Sequence, residues 1–346
     1  MHLSRSLTSK LFFRAFNLRR VLLALGVSLW LLAPGCLRAA DLPSATNALL
    51  EGNADDAVAQ LKQILAADST NGQAHLLLCR AYYAQSMAAA ASSECTAALR
   101  TLANDSSAQD WAGRAYGMQA NGAGPIAGLR LAFKVRNAFE AAVRINPLNG
   151  DAVNDLSEYY IDAPSIVGGG FDKAAHLADR SQAQLPQSSH RMRAMAAEKQ
   201  KDYATAEREF RAATSVANQP NAWADLGAFY SRRAQPDRAS EALRRAIALD
   251  RAHDATLVDA ATTLTEVNRE PRLAERALRD YLDSHSKSDA APAFKVHVQL
   301  AKLLRDEGNS ADAKIELEHS LELASGYAPA RKELAALEHE ANIAQR

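Results

Sequence analysis

The chain has 346 residues, 48% of them apolar and 6% aromatic, and its 40 Lys and Arg are matched by 40 Asp and Glu. A net charge of zero removes any general electrostatic pull toward nucleic acid or an anionic membrane. Abundant alanine and the lack of alternating β-branched runs point to helix. Length alone suggests about two domains, a prior that fails when the chain is a repeat array.

Residues 1–40 hold no Asp or Glu. Arg5, Lys10, Arg14, Arg19 and Arg20 lead into the apolar run Val21 to Ala33, VLLALGVSLWLLA. Spanning a bilayer takes about 20 apolar residues, so this run is short for a membrane helix. A basic start, a compact apolar core and then small residues read as a bacterial export leader over 1–39, with cleavage after Ala39 and with Leu37 and Ala39 in the small-residue slots. Other exits stay open. Cys36 after Gly35 in LAPGC is a lipid-attachment residue in a lipoprotein reading, Arg19-Arg20 suggests a twin-arginine signal, and the Arg- and Ser-rich start suits a mitochondrial presequence. The compact apolar core favours secretion. The expectation is an exported protein, periplasmic or envelope-associated, touching the membrane only through the leader or a lipid on Cys36. Beyond the leader, Cys79 and Cys95 either pair, as an oxidising compartment permits, or fill separate apolar sites.

From Asp41 onward the pattern is periodic. Ala57, Leu61 and Ile64 are followed thirty-four residues later by Ala91, Cys95 and Ala98, with Leu78, Cys79 and Tyr82 between them. Phe139, Ala142 and Pro147 close a third unit, and Leu156, Ser157 and Tyr160 open a fourth. Ala206, Phe210 and Ala213 precede the clearest unit: Trp223, Leu226, Gly227 and Tyr230, then Ala239, Leu243 and Ala246. Leu300, Ala301, Leu304, Ala313 and Leu317 mark the last. The W-x2-L-G-x2-Y helix and the A-x3-[FL] helix resemble the tetratricopeptide repeat (TPR). That resemblance implies an all-α, right-handed superhelical solenoid of about eight helix hairpins. The units fall near 41–71, 72–105, 106–149, 150–188, 189–219, 220–253, 254–290 and 291–327, with a capping helix at 328–342. One hairpin cannot bury its apolar face alone; large residues fill the space between helices, small ones let backbones approach, and stacking completes the core.

Two stretches depart from the period. NGAGPIAG, Asn121 to Gly128, is expected to lengthen the link between two helices, either as a tolerated insertion or as a binding feature. IDAPSIVGGGFDKAAHLADR, Ile161 to Arg180, raises the question of a phosphate cradle. A P-loop needs a preceding strand and a Ser or Thr after its Lys. Neither is present, so the structural reading prevails: Pro164 ends one helix, Gly168, Gly169 and Gly170 make the turn, and Asp172 sits in the first turn of the next. The stretch with RAYG at Arg114 to Gly117 and YYIDAPSIVGGGFDKA resembles exported bacterial repeat proteins with an A-P-x-x-x-G-G insertion, over residues 111 to 186.

No chemistry-bearing motif emerges. Nine histidines are scattered without H-E-x-x-H or C-x-x-C, and neither G-x-S-x-G nor a dinucleotide fingerprint occurs. No catalytic residue, metal or cofactor is expected. The inner face that the resemblance implies is chemically uneven. Asp151, Asp155, Glu158 and Asp162 recur at helical spacing beside Asn154. Arg80, Tyr83, Trp111 and Arg114 are candidates for the early groove. Later units contribute His190, Arg193 and Lys201, then Lys295, Lys302 and Arg305. These point to a non-enzymatic scaffold holding a protein or peptide partner, with a carrier subunit for a polysaccharide or small ligand as the alternative. The basic-Asn pattern that grips chaperone C-termini is not matched, since Ala224 and Ala228 occupy two of its polar positions.

Overall fold

The computed structural model describes residues 40–344. The segment expected to be an export leader, with Cys36, lies outside them. Among the described residues there are seventeen α-helices, one short 3-10 turn and no strand.

Consecutive helices pack as hairpins in chain order: α1 Leu42–Leu50 with α2 Ala54–Ala67, α3 Gly72–Ala84 with α4 Ala88–Ala98, and α5 Ser106–Asn121 with α6 Pro125–Ile145. Next come α7 Gly150–Asp162 with α8 Phe171–Ser181, α9 Pro186–Lys199 with α10 Tyr203–Ala217, and α11 Pro220–Arg232 with α12 Pro236–Leu249. The series ends with α13 Ala255–Glu266 and α14 Pro271–Asp283, α15 Ala293–Asp306 and α16 Ser310–Leu323, and α17 Ala328–Ala344 packed on α16.

The starts of these helices are written locally. Asn53, Asn71, Asp105, Asn149 and Asp202 each accept a hydrogen bond from the backbone N–H three residues on. Each such cap satisfies a donor that helix geometry leaves free and contributes about 1 kcal/mol. Between helices the large-and-small rule holds. A Cβ on Gly227 would lie 2.6 Å from Leu243, so only glycine admits that leucine, while Ala239 and Ala246 are fully buried beside it. Phe210 and Phe229 meet at 5.2 Å between ring centroids, and one apolar cluster runs from Ala194 to Leu337.

The third hairpin departs from expectation. Its link is only Gly122 to Gly124, because the inserted residues are absorbed into helix: α6 has 21 residues. Pro125 stands at its first turn, where a fixed φ and a missing N–H cost nothing.

The two ends of the array meet. Ala54 and Ala84 share a buried cluster with Phe294 and Ala324, and α2 packs on α16. Arg80 pairs with Asp289, Lys287 with Glu51, and Asp55 accepts from Ser325 N–H at 2.8 Å. The first hairpins close against the last.

Candidate inner-face binding site

The first helices of successive hairpins set a row of charged side chains side by side. On α5 and α7, Arg114 reaches Asp155 at 2.5 Å and Asp110 at 3.2 Å. Asp110 is 3% exposed, and its Oδ1 has no protein partner; neither has the buried Oδ1 of Asn154. Burial, reinforced by Asp155 against the opposing pull of Arg114, lifts the Asp110 carboxyl to about 7. Burial also raises Asp155. Burial works against the charge of Arg114, but Asp155 and Asp110 more than offset it and hold the guanidinium protonated. Several carboxylates thus share one cation, and negative charge is in surplus.

The row continues. Arg191 on α9 reaches Glu158 at 2.8 Å and Asp225 on α11 at 3.2 Å, while its Nη1 has no protein partner. Beyond it, Asp225, Asp259, Lys295 and Gln299 line a cleft of about 390 Å³. Burial, with Asp225 and Asp254 adding repulsion, lifts Asp259 to about 6. Burial alone lowers Lys295. Gln299 Oε1 is buried without a protein partner. A larger cleft of about 560 Å³, floored by Val143, Leu156 and Leu177, lies at the seam of α6, α7 and α8 away from this row.

Of the residues singled out by sequence, Arg114, Asn154, Asp155 and Glu158 come together here, and Asp151 lies close enough to raise Asp110. Asp162 pairs with Lys199 at the surface. Trp111 is only 8% exposed. It lies beneath the guanidinium groups of Arg80 and Arg114, at 5.2 and 4.8 Å, and edge-on to Tyr83 at 5.4 Å, so it supports the charged row from below. Arg193 is bound instead to Asp179 and Gln182, and Lys302 and Arg305 to Glu333 of α17. Sequence reasoning missed Asp110, Arg191, Asp225, Asp259 and Asp289. A signal existed for three of them: Arg191, Asp225 and Asp259 follow one another at thirty-four-residue steps.

The glycine turn is fully committed to the fold. The N–H groups of Gly168, Gly169 and Gly170 donate to Ser165 O, Pro164 O and Tyr160 O, so none of the three glycine amides is left to cradle an anion. Gly168 has φ +96°, and a Cβ on Gly169 would lie 1.8 Å from Ala163 O. Lys173 Nζ donates to Gly168 O at 2.8 Å.

Cys79 and Cys95 are joined, S–S 2.08 Å, between α3 and α4. Three histidines repeat one arrangement: the Nδ1 atoms of His75, His190 and His297 lie 2.6 to 2.8 Å from Glu94, Glu209 and Glu316, each nineteen residues on. His319 joins the third pair, bringing potential metal-ligand atoms within 4.8 Å. Arg279 already holds Glu316 there, and the same His–Glu pair recurs twice without a third ligand, so the arrangement reads as a clamp between the two helices of a hairpin.

A tetratricopeptide-repeat family matches residues 48–112 and a second one matches 220–253. No curated protein matches the sequence. Among solved structures, yeast Tom70 is 14% identical with a TM-score of 0.51, over 89% of this chain and 66% of that one. A chain of the APC/C hetero-tetramer Cut9–Hcn1 is 14% identical with a TM-score of 0.39, over 85% of this chain and 54% of its own length. A tetratricopeptide repeat protein from Parabacteroides merdae is 12% identical with a TM-score of 0.43, over 86% and 97%. The chain thus spans about half the length of the Cut9–Hcn1 chain and two thirds of Tom70. It carries tetratricopeptide repeats in an all-α solenoid, a fold consistent with a scaffold for protein–protein contacts.

Proposed function

We propose that this protein is a non-enzymatic scaffold of the bacterial envelope that holds a peptide bearing Lys or Arg side chains along its inner row. One observation carries the reading. Asp110, Asp151 and Asp155 crowd a single guanidinium, that of Arg114, so negative charge exceeds positive there. An ammonium or guanidinium group brought against the more accessible Asp151 and Asp155 carboxylates offsets that surplus negative charge through charge-assisted contacts. Export draws support from the leader-like residues 1–39, from the likeness to exported repeat proteins with the A-P-x-x-x-G-G insertion, and from the Cys79–Cys95 bond, since structural disulfides persist in oxidising compartments. A polysaccharide carrier role draws less support, because Trp111 is covered and offers no stacking platform.

The test is binding of labelled peptides by fluorescence anisotropy, comparing Lys/Arg-rich with Glu-rich sequences of equal length. Basic peptides are expected to bind more tightly, with added salt weakening them. The double change Asp151→Asn and Asn154→Ala is expected to cost about tenfold, the loss of one charge-assisted contact. Equal binding of acidic and basic peptides, or full binding by the double variant, overturns the reading.

A further inference from the structure

Between Asn121 and Phe139 the chain has no Asp or Glu but has Arg130, Lys134 and Arg136. In a chain of zero net charge this local run is unusual, and it coincides with α6, the longest of the described hairpin helices. Val135, Ala138 and Phe139 bury one face of α6 against its neighbours. Ile126, Leu129 and Phe133, spaced three and four residues apart, share the opposite face and are exposed, Ile126 at 73%. On a helix of 3.6 residues per turn, Arg130 and Lys134 fall along one side of that apolar strip and Arg136 along the other.

The glycine-turn insertion adds to the same ridge. The 3-10 turn Ser165–Val167 packs on α6, and the Tyr159 hydroxyl lies 3.0 Å from Ala132 O and 2.8 Å from Val167 O, donating to one of them. That contact presents Ile166, 74% exposed, beside the strip. Acidic residues flank the ridge at Glu140, which lies 3.9 Å from Arg136 and accepts from the Tyr160 hydroxyl, at Asp162, which pairs with Lys199, and at Asp172, with Lys173 next to it. Ile126, Leu129, Phe133, Ile166 and Phe171 are five of the nine large apolar side chains exposed among the described residues.

We infer that this ridge docks on an anionic lipid surface. An apolar strip with basic shoulders is the arrangement by which a helix lies in a membrane interface, apolar side chains in the headgroup boundary and cations against lipid phosphates. The charge pattern argues against the other occupants. A second copy related by two-fold symmetry sets Arg130 and Lys134 against their own equivalents, and the acid at the end of the strip, Glu140, is already shared between Arg136 and the Tyr160 hydroxyl. A neutral apolar partner leaves those cations without a counter-charge. No helix among the described residues is long and apolar enough to cross a membrane, so the contact is a surface one. It does not depend on the inner-row reading, because the two sites share no residue.

The experiment is co-sedimentation of the full chain with vesicles of phosphatidylcholine alone or enriched in phosphatidylglycerol. Any contribution of the leader is common to every variant compared. Binding is expected on the anionic vesicles and to fall as salt is raised. Each basic residue near such a surface contributes about fivefold, so Arg130→Glu with Lys134→Glu is expected to lower partitioning by at least roughly thirtyfold. Ile126→Ser with Leu129→Ser is expected to lower it on the anionic vesicles while circular dichroism and melting stay unchanged. Equal binding by folded variants overturns the inference. So does a ridge that ignores both vesicles but binds an acidic protein segment through the same residues.

Discussion

Arg80 and Asp289, 209 residues apart, form a two-pronged ion pair: Nε donates to Oδ2 at 2.6 Å and Nη2 to Oδ1 at 3.0 Å. The guanidinium also lies over Trp111, so the clasp joining the ends of the array is continuous with the inner row. Solenoids are held mainly by neighbour-to-neighbour contacts, and this one adds a contact between its extremes.

Arg80→Ala and Asp289→Ala are each expected to cost about 2 kcal/mol, because removing one partner leaves a poorly solvated charge. The double variant is expected to cost less than the sum of the two. Urea denaturation measures this, and hydrogen exchange locates it: amides of α1 and α2 are expected to exchange faster in both single variants. Unchanged exchange over residues 42–67 means the clasp does not hold the ends.

The disulfide closes a loop of sixteen residues within one hairpin. Chain-entropy arguments give a loop of that size about 3 kcal/mol of stabilisation. Cys95→Ser, or reduction of the unaltered chain, is therefore expected to lower the melting temperature by several degrees. Thiol titration after unfolding is expected to find neither Cys79 nor Cys95 free until reductant is added.

Much of the fold was legible because the repeat writes itself in local spacing. Ala57 and Leu61 predict Ala91 and Cys95, and Trp223 with Gly227 predicts how close the next helix comes. Closure was not legible, since a pair such as Arg80 and Asp289 leaves no periodic mark. The run Asn121 to Gly128 reads as a lengthened link, yet Pro125 within it is also a favoured helix start, and the structure takes that second option. The site was legible in part. Asp155 and Glu158 gave themselves away by helical spacing, but Arg191, the partner of Glu158, required comparing positions across repeats. Trp111 reads as a groove-lining residue in the sequence, whereas here it is packed beneath two arginines.

Gly169→Ala tests whether the glycine turn is architectural. The new methyl would meet Ala163 O at 1.8 Å, a backbone atom that cannot swing aside. Overpacking of this kind costs about 1–3 kcal/mol, so the variant is expected to melt earlier. Added phosphate is expected to stabilise neither form, because the turn's amides are spent on Ser165, Pro164 and Tyr160. A phosphate-dependent rise in melting temperature that vanishes in the variant contradicts this account.

Asp259 gives the inner row a pH signature whose sign can be worked out. Its carboxyl titrates at about 6 in the folded chain against 3.8 ordinarily, because burial and the neighbouring Asp225 and Asp254 disfavour its charge, with Arg191 opposing them weakly. Between those values the folded chain binds more protons than the unfolded one, so this group's contribution to stability is present at low pH and is lost as pH rises through about 6. Asp259→Asn removes the penalty, and the variant is expected to melt above the unaltered protein at pH 8, with the gap closing toward pH 4. Solvent reaches this side chain, which limits the gain to about 1 kcal/mol or less. Melting curves across that range decide it, since a gap that does not change with pH would trace to something other than repulsion among the carboxylates.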